Sequence, residues 1–410
     1  MWEEKIMQYN FDEIIDRQNT DALNTDGFRG YIFHAGPEKK FKFADEDFVR
    51  MWVADMEFAV AEPIRKAIQR RLDRKILGYS AVYEKGYYTA FAQWCKKHYD
   101  WEFNQEELTF SPGVIPALYQ IVEDIVGQGE KVITMTPAYG FFLHACEYSN
   151  RELVQNSLLY DNGRFSIDFT DLEKKAKDSK IKLLIFCNPH NPSGRVWTRE
   201  ELSKVAEIVR KNNLWIISDE IHCDLVRTGT RHIPMDKIMP DYDKLITCMS
   251  ASKTFNVAGL QFSNIIIKNQ KERERFISRD KLAGFINPLA IAGHQAAYEE
   301  GEEWLEQMKA YLDSNFRYVK NFLDSKVPGA VFEISEATYL AWVNLNGAVG
   351  EKYIDDLPAL FADNGLLLEG GDNLFVGNAR GFIRLNLAMP LSIIKKGLLR
   401  LQEAVKKSNS

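Results

Sequence analysis

No stretch of the 410-residue chain approaches the ~18 consecutive apolar residues that a membrane-spanning helix needs. The N-terminus, MWEEKIMQYNFDEIIDR, alternates charge with apolar residues and lacks the uninterrupted apolar core of a secretion signal. Cysteine is scarce: Cys95, Cys146, Cys187, Cys223 and Cys248 are scattered, odd in number and form no C-x-x-C pair. That excludes a disulfide scaffold and points to reduced thiols in a cytoplasmic protein. Basic excess is missing too. Lys and Arg total 52 against 58 Asp and Glu, a net charge of −6, so nothing suits the chain to a phosphate backbone and nucleic acid is not an expected partner. Repeats and low-complexity tracts are absent, as are a Walker A loop, G-x-G-x-x-G, H-E-x-x-H and G-x-S-x-G. What remains is ordinary globular composition, 45% hydrophobic and 27% charged, over a length that suits two or three domains of ~150 residues.

The pattern along the chain divides it into three parts. Residues 1–50 are irregular and rich in Asp, Asn, Gly and Phe, and read as an N-terminal arm, part of it belonging with the C-terminal domain. Residues 51–288 carry helical stripes at Glu62–Leu77 and Tyr87–Tyr99, then five short apolar runs: Lys131–Met135, Lys182–Cys187, Leu214–Ser218, Leu245–Met249 and Asn264–Ile267. Each run is rich in Ile, Leu and Val without alternation, as strands covered on both faces are. Thr198 with Glu201 makes a capping box for a helix whose apolar face is Leu202, Val205, Ala206 and Val209. Strand and helix in alternation imply an α/β layer with a mainly parallel sheet and helices on both faces. Residues 289–410 alternate less regularly and read as a smaller α+β domain. It has a long helix at Glu302–Asp324, strands at Val331–Ile334, Tyr339–Leu345 and Phe382–Leu387, and a last helix from Leu391.

Ligands of open α/β sheets gather at the carboxyl ends of the strands. Four of the runs end in reactive or recognition groups: Thr136-Pro137-Ala138-Tyr139, Asn188-Pro189-His190-Asn191-Pro192-Ser193-Gly194-Arg195, Asp219-Glu220-Ile221-His222, and Ser250-Ala251-Ser252-Lys253. Alone, each has a plainer explanation: a turn, a helix cap, a solvated lysine. Together they match one cofactor, pyridoxal 5'-phosphate. It needs an amine for a Schiff base, as Lys253 offers, and an acid against the pyridine nitrogen, as Asp219 offers. Tyr139 can cover the ring face, and the Asn191 amide can donate to the phenolic oxygen. The phosphate requires hydroxyls and free N–H groups at a helix start; Ser111-Pro112-Gly113-Val114 opens such a helix, and Ser250 and Ser252 are further candidates.

WVADMEF (Trp52–Phe58), GYS (Gly78–Ser80), SPGVIPAL (Ser111–Leu118), TPAYGFF (Thr136–Phe142), NPHNPSGRVW (Asn188–Trp197), SDEIHCDL (Ser218–Leu225), SASKTFNVAGL (Ser250–Leu260) and RLNLAMP (Arg384–Pro390) span most of the chain. With these motifs it resembles the fold-type I pyridoxal-phosphate enzymes of the class I/II aminotransferase superfamily. Within them it is most similar to the MalY/PatB cystathionine β-lyase branch, to which cystalysin belongs. The resemblance implies Lys253 as the Schiff-base lysine and Asp219, Asn191 and Tyr139 around the ring. It implies Ser250, Gly113 and Val114 at the phosphate, and Arg384 on the substrate carboxylate with Asn191 beside it. Tyr79 would reach the site of a neighbouring subunit, which implies a homodimer.

The implied activity is carbon–sulfur β-elimination from cystathionine or a cysteine-like amino acid, giving pyruvate, ammonia and a thiol. An aminotransferase on the same scaffold is the alternative, and a regulatory protein-interaction role a further one. Gln261 stands where aminotransferases commonly place a phosphate-binding arginine, and His222 where they place a tyrosine. Both substitutions favour the lyase, although His222 is equally readable as a ring neighbour or a satisfied core histidine. The arm Thr20–Phe48 departs from the branch pattern, as does Ala337, which replaces an expected glycine.

Overall fold

The structure, a computed structural model, describes residues 9–283, 285–372 and 374–410. Its main sheet has seven strands: β1 (Leu108–Ser111), β2 (Lys131–Thr136), β3 (Glu152–Ser157), β4 (Ile181–Cys187), β5 (Trp215–Asp219), β6 (Leu245–Met249) and β7 (Ser263–Ile267), in the order β1-β7-β6-β5-β4-β2-β3. Strands β2 to β6 run parallel, while β7 lies antiparallel to both β6 and β1. The five apolar runs are all in this sheet. They lack alternation because both faces are covered. Leu184, Phe186 and Ile216 pack under Trp197, Leu202 and Val205 on one side. Leu183, Ile185, Ile217 and Ile246 pack under Leu118, Ile121 and Val122 on the other. The capping box forms as expected: Thr198 Oγ1 accepts from the Glu201 N–H at 3.2 Å, and Glu201 accepts from the Thr198 N–H at 2.8 Å, starting the helix Arg199–Lys211.

A smaller antiparallel sheet joins β8 (Leu340–Asn344), β9 (Glu369–Gly370) and β10 (Phe382–Asn386) in the order β8-β10-β9. The helices Glu302–Lys326 and Leu391–Ser408 pack against it through Leu312, Phe316, Ile394 and Leu398. Two expectations shrink here. Val331–Ile334 is not a strand, since only Val331 pairs, with Asn344; the chain leaves a left-handed turn at Gly329 (φ +83) and then diverges from β8. The stripe from Glu62 stops at Leu72, because Lys75 turns left-handed (φ 64).

The arm is more ordered than its composition implied. Helix Phe28–Phe33 buries Phe28 and Ile32 against Phe48, Trp52, Ala362 and Leu367. Val49 and Arg50 then pair in parallel with Leu366 and Leu367, which fastens the arm beside the small sheet. No helix among the described residues is long and apolar enough to cross a membrane. All five cysteines are buried and unpaired; burial pushes Cys146 up to about 12 and the other four thiols well above their usual range.

Gly194 ties the loop after β4 to the segment before β8. Its carbonyl accepts from the Ala337 N–H at 2.9 Å, its φ is +68, and a Cβ there would lie 2.4 Å from Ser335 Cβ and 2.9 Å from the Ala337 carbonyl oxygen. Gly194→Ala therefore carries both left-handed strain and a backbone clash, together about 2 kcal/mol or more. The apparent thermal midpoint should fall by several degrees in a calorimetric scan, and an unchanged midpoint would contradict this packing.

Candidate active site

The carboxyl ends of the parallel strands open into a cavity of about 190 Å³. Each loop at this edge brings one side chain. The residue closing β5 is Asp219. The short helix Ala251–Thr254 after β6 carries Ser252 and Lys253. Asn191 follows β4 and Tyr139 follows β2, while Gly113 and Val114 open the helix Val114–Ile125 after β1. All of these line the cavity, with His222 and Cys187. The first-turn N–H groups of Val114–Ile125 have no side-chain cap and point their positive dipole end at the same space.

Three expected residues lie elsewhere. Ser250 is not among the lining residues: its hydroxyl donates to the Phe262 carbonyl at 2.8 Å and accepts from the Ser252 N–H at 3.1 Å, so it caps the lysine-bearing helix. Arg384, on β10, sits behind Asn191, donating from Nη1 to its Oδ1 at 3.2 Å. Tyr79 is 90% exposed and meets Phe285 at a tilt of 41°, ring centroids 5.0 Å apart, outside the cavity of its own chain.

Burial sets the electrostatics. The Lys253 amine donates to the Ala54 carbonyl at 2.6 Å, and desolvation lowers its pKa, opposed chiefly by Asp55. Desolvation pushes Asp219 up to about 7, against the pull of the Ile221 N–H, with Glu220 adding repulsion and Lys253 attraction. His222 is held down to about 3, first by burial and then by Lys253 and Arg384, so it is neutral; its Nδ1 has no partner. Tyr139 is pushed up to about 12 by burial and by Glu369, and stays a protonated phenol. The cavity thus holds an amine, an acid, an amide, a neutral imidazole and an anion-attracting helix end. That set can bond a carbonyl carbon, hold a proton on a ring nitrogen and cradle a phosphate.

Several contributors carried no mark in the sequence. The Ala54 carbonyl also accepts from the Tyr339 hydroxyl at 2.8 Å. Glu369 is ion-paired with Arg384. Tyr31 of the arm packs its ring 5.1 Å from Trp52 and lies close enough to Tyr139 for each phenol to perturb the other. The only available hints were the WVADMEF and EATYL motifs and an acid directly after the apolar run Leu366–Leu368.

Residues 46–401 match the family of class I and II aminotransferases. The cystathionine β-lyase PatB of Bacillus subtilis is 36% identical over 400 residues, covering 97% of this chain and 100% of its own. The structure of the PLP-bound C-S lyase of Staphylococcus hominis with the inhibitor L-cycloserine superposes with a TM-score of 0.93 at 47% identity, covering 97% of this chain and 98% of that one. Cystalysin from Treponema denticola, which contains a pyridoxal 5'-phosphate cofactor, superposes with a TM-score of 0.89 at 34% identity, covering 98% and 100%.

Asp219 binds its proton more tightly in the fold than in the unfolded chain, so it lowers the stability of the ligand-free protein as pH rises from about 4 to about 7, by a few kcal/mol in all. Ligand-free Asp219→Asn should therefore melt several degrees above ligand-free wild type at pH 8, with the gap narrowing toward pH 5. A gap of the opposite sign in paired thermal scans would refute the burial of this carboxylate.

Proposed function

The chain belongs to the class I and II aminotransferase family, and from that premise we propose that it binds pyridoxal 5'-phosphate and cleaves the carbon–sulfur bond of cystathionine or cysteine-like amino acids by α,β-elimination. The observation that carries this reading is that the desolvated Lys253 amine and the buried Asp219 carboxylate line one cavity beside an uncapped helix start. The residues fit the cofactor. Lys253 would bond its aldehyde carbon, Asp219 its pyridine nitrogen and Asn191 its phenolic oxygen. Tyr139 would cover the ring, and Gly113, Val114 and Ser252 would meet the phosphate. The raised pKa of Asp219 reflects burial that the attraction of Lys253 does not offset; a protonated ring nitrogen opposite would return it to the ionised form.

When bound, the cofactor supplies a sink for the electron pair left at Cα. The protein's side chains do the rest. Arg384, with an unpartnered Nε and with Nη1 on Asn191, orients the substrate α-carboxylate. The Lys253 amine, kept from excess basicity by burial, takes the Cα proton. The C–S electron pair leaves with sulfur, and the remaining three-carbon enamine hydrolyses to pyruvate and ammonia. The C–S lyase and cystathionine β-lyase names of the similar proteins support elimination over transamination, as does Gln261 in place of a phosphate-binding arginine.

In the same reading, residues 51–288 form the cofactor-binding domain and 289–410 the small domain, with the arm 1–50 joined partly to the latter. The chain works as a cytoplasmic homodimer, with Tyr79 entering the neighbouring site. Exposure of Ile76 (73%), Tyr79 (90%), Tyr83 (79%) and Phe285 (61%) supports a covering partner at that edge.

Purified protein given cystathionine or cysteine should release pyruvate and a thiol with no added keto acid, and Lys253→Ala should cut turnover at least a thousandfold. A borohydride-trapped adduct should map to Lys253. Turnover that requires a keto acid would replace the lyase reading with an aminotransferase.

A further inference from the structure

Glu369 has no part in the elimination chemistry, yet it is 2% exposed at the edge of the site. It lies directly opposite Arg384 in the antiparallel pairing of β9 with β10, so both side chains leave the same face of the small sheet. Its carboxylate is ion-paired to Arg384 Nη2, with side-chain exposures of 3% and 1%. The other contacts of the guanidinium are sparse. Nη1 meets Asn191, the group sits 5.1 Å from the Phe375 ring centroid, and Nε has no partner. Glu369 therefore fixes one side of the guanidinium and leaves the remainder available.

The groups that face Glu369 are Arg384 across the sheet, Lys253 from the main sheet, and the phenols of Tyr31 from the arm and Tyr139 after β2. Both phenols are raised above their ordinary value and are neutral at physiological pH. Burial raises the Glu369 carboxyl as well, opposed by the two cations. A substrate α-carboxylate arriving on Arg384 puts two carboxylates on one guanidinium in dry surroundings, where both cannot easily stay ionised. The α-carboxyl is the stronger acid, at about 3.5. The proton therefore goes to the buried glutamate.

The geometry points to Glu369 as the positioning residue that holds Arg384 for the incoming carboxylate and that accepts one proton when this carboxylate binds; this rests on Arg384 being the carboxylate clamp. The probe is 3-(methylthio)propanoate, which carries the carboxylate and sulfur of a cysteine thioether but has no amine to displace Lys253. Its binding to the holoenzyme at pH 8 is followed by calorimetry in two buffers of different ionisation enthalpy, which counts protons. The visible band of the cofactor is recorded in parallel, so that protonation at the Lys253 linkage is counted separately.

Wild type should take up about one proton per site beyond that count, and Glu369→Gln close to none. Affinity should correspondingly weaken about tenfold more per pH unit in wild type than in the variant above neutrality. No uptake in wild type, or equal uptake in Glu369→Gln, overturns the proposal. Should Glu369→Gln fail to retain the cofactor, the wild-type count decides alone. Arg384→Ala tests the underlying reading separately: undiminished binding of the probe there would remove the clamp itself, whatever the proton count.

Discussion

A buried lysine amine needs an acceptor, and here the acceptor is a main-chain carbonyl on a segment gripped from both sheets. Asn256, just after the lysine helix, donates to the Met56 and Phe58 carbonyls at 3.0 Å and accepts from the Met56 N–H at 3.0 Å. Asn386, on the small sheet, donates to the carbonyls of Val53 and Asp55. The Tyr339 hydroxyl and Lys253 amine then converge on Ala54. Arg17 of the arm braces the same segment through Asp55 and Glu57, each at 2.7 Å. A hydrogen bond to a charged group contributes about 1.5–3 kcal/mol. Residues 52–58 thus locate the Lys253 amine relative to Arg384, although Lys253 and Arg384 are far apart in sequence.

The charges of the site are arranged in opposed pairs. Lys253 lies within the field of Asp55, Glu369 and Asp219. Arg384 is matched by Glu369. Behind Asp219, Glu220 is held by His232 and Ser218, both at 2.7 Å and fully enclosed. Removing one member of such a pair leaves the other buried without compensation, which is far more costly than exchanging an exposed charge. Function and stability are therefore coupled at this edge of the sheet.

Much of this was legible in the chain itself. Strands buried on both faces announce themselves as unbroken apolar runs, and the groups at their ends fall into the cavity because parallel strands deliver all their carboxyl ends to one edge. Asn191, Asp219 and Lys253, singled out by that rule, all line the cavity. The capping box at Thr198 was equally plain, since its signal is local. The contribution of Glu369 was hidden because cross-strand register depends on pairing between distant segments. The Ala54 carbonyl was hidden because a main-chain acceptor leaves no trace in residue identity. Ser250 carries a different ambiguity: a serine preceding a helix serves equally well as its cap, and here its hydroxyl donates to the Phe262 carbonyl and accepts from the Ser252 N–H. The arm looks irregular in sequence because Phe28 and Ile32 become a core only against residues outside their own helix, Trp52 and the distant Leu367.

The condition of the five cysteines bears on the proposed chemistry. Thiols of the kind the proposed reaction would release are oxidised by dioxygen to disulfides, and a disulfide exchanges with an accessible thiolate. Here every cysteine is enclosed and kept protonated, including Cys187 at the cavity wall, whose Sγ donates to the Pro189 carbonyl at 3.2 Å. Under the proposed reaction, a disulfide formed from the released thiol by an external oxidant such as dioxygen would meet no exposed thiolate on the protein to exchange with.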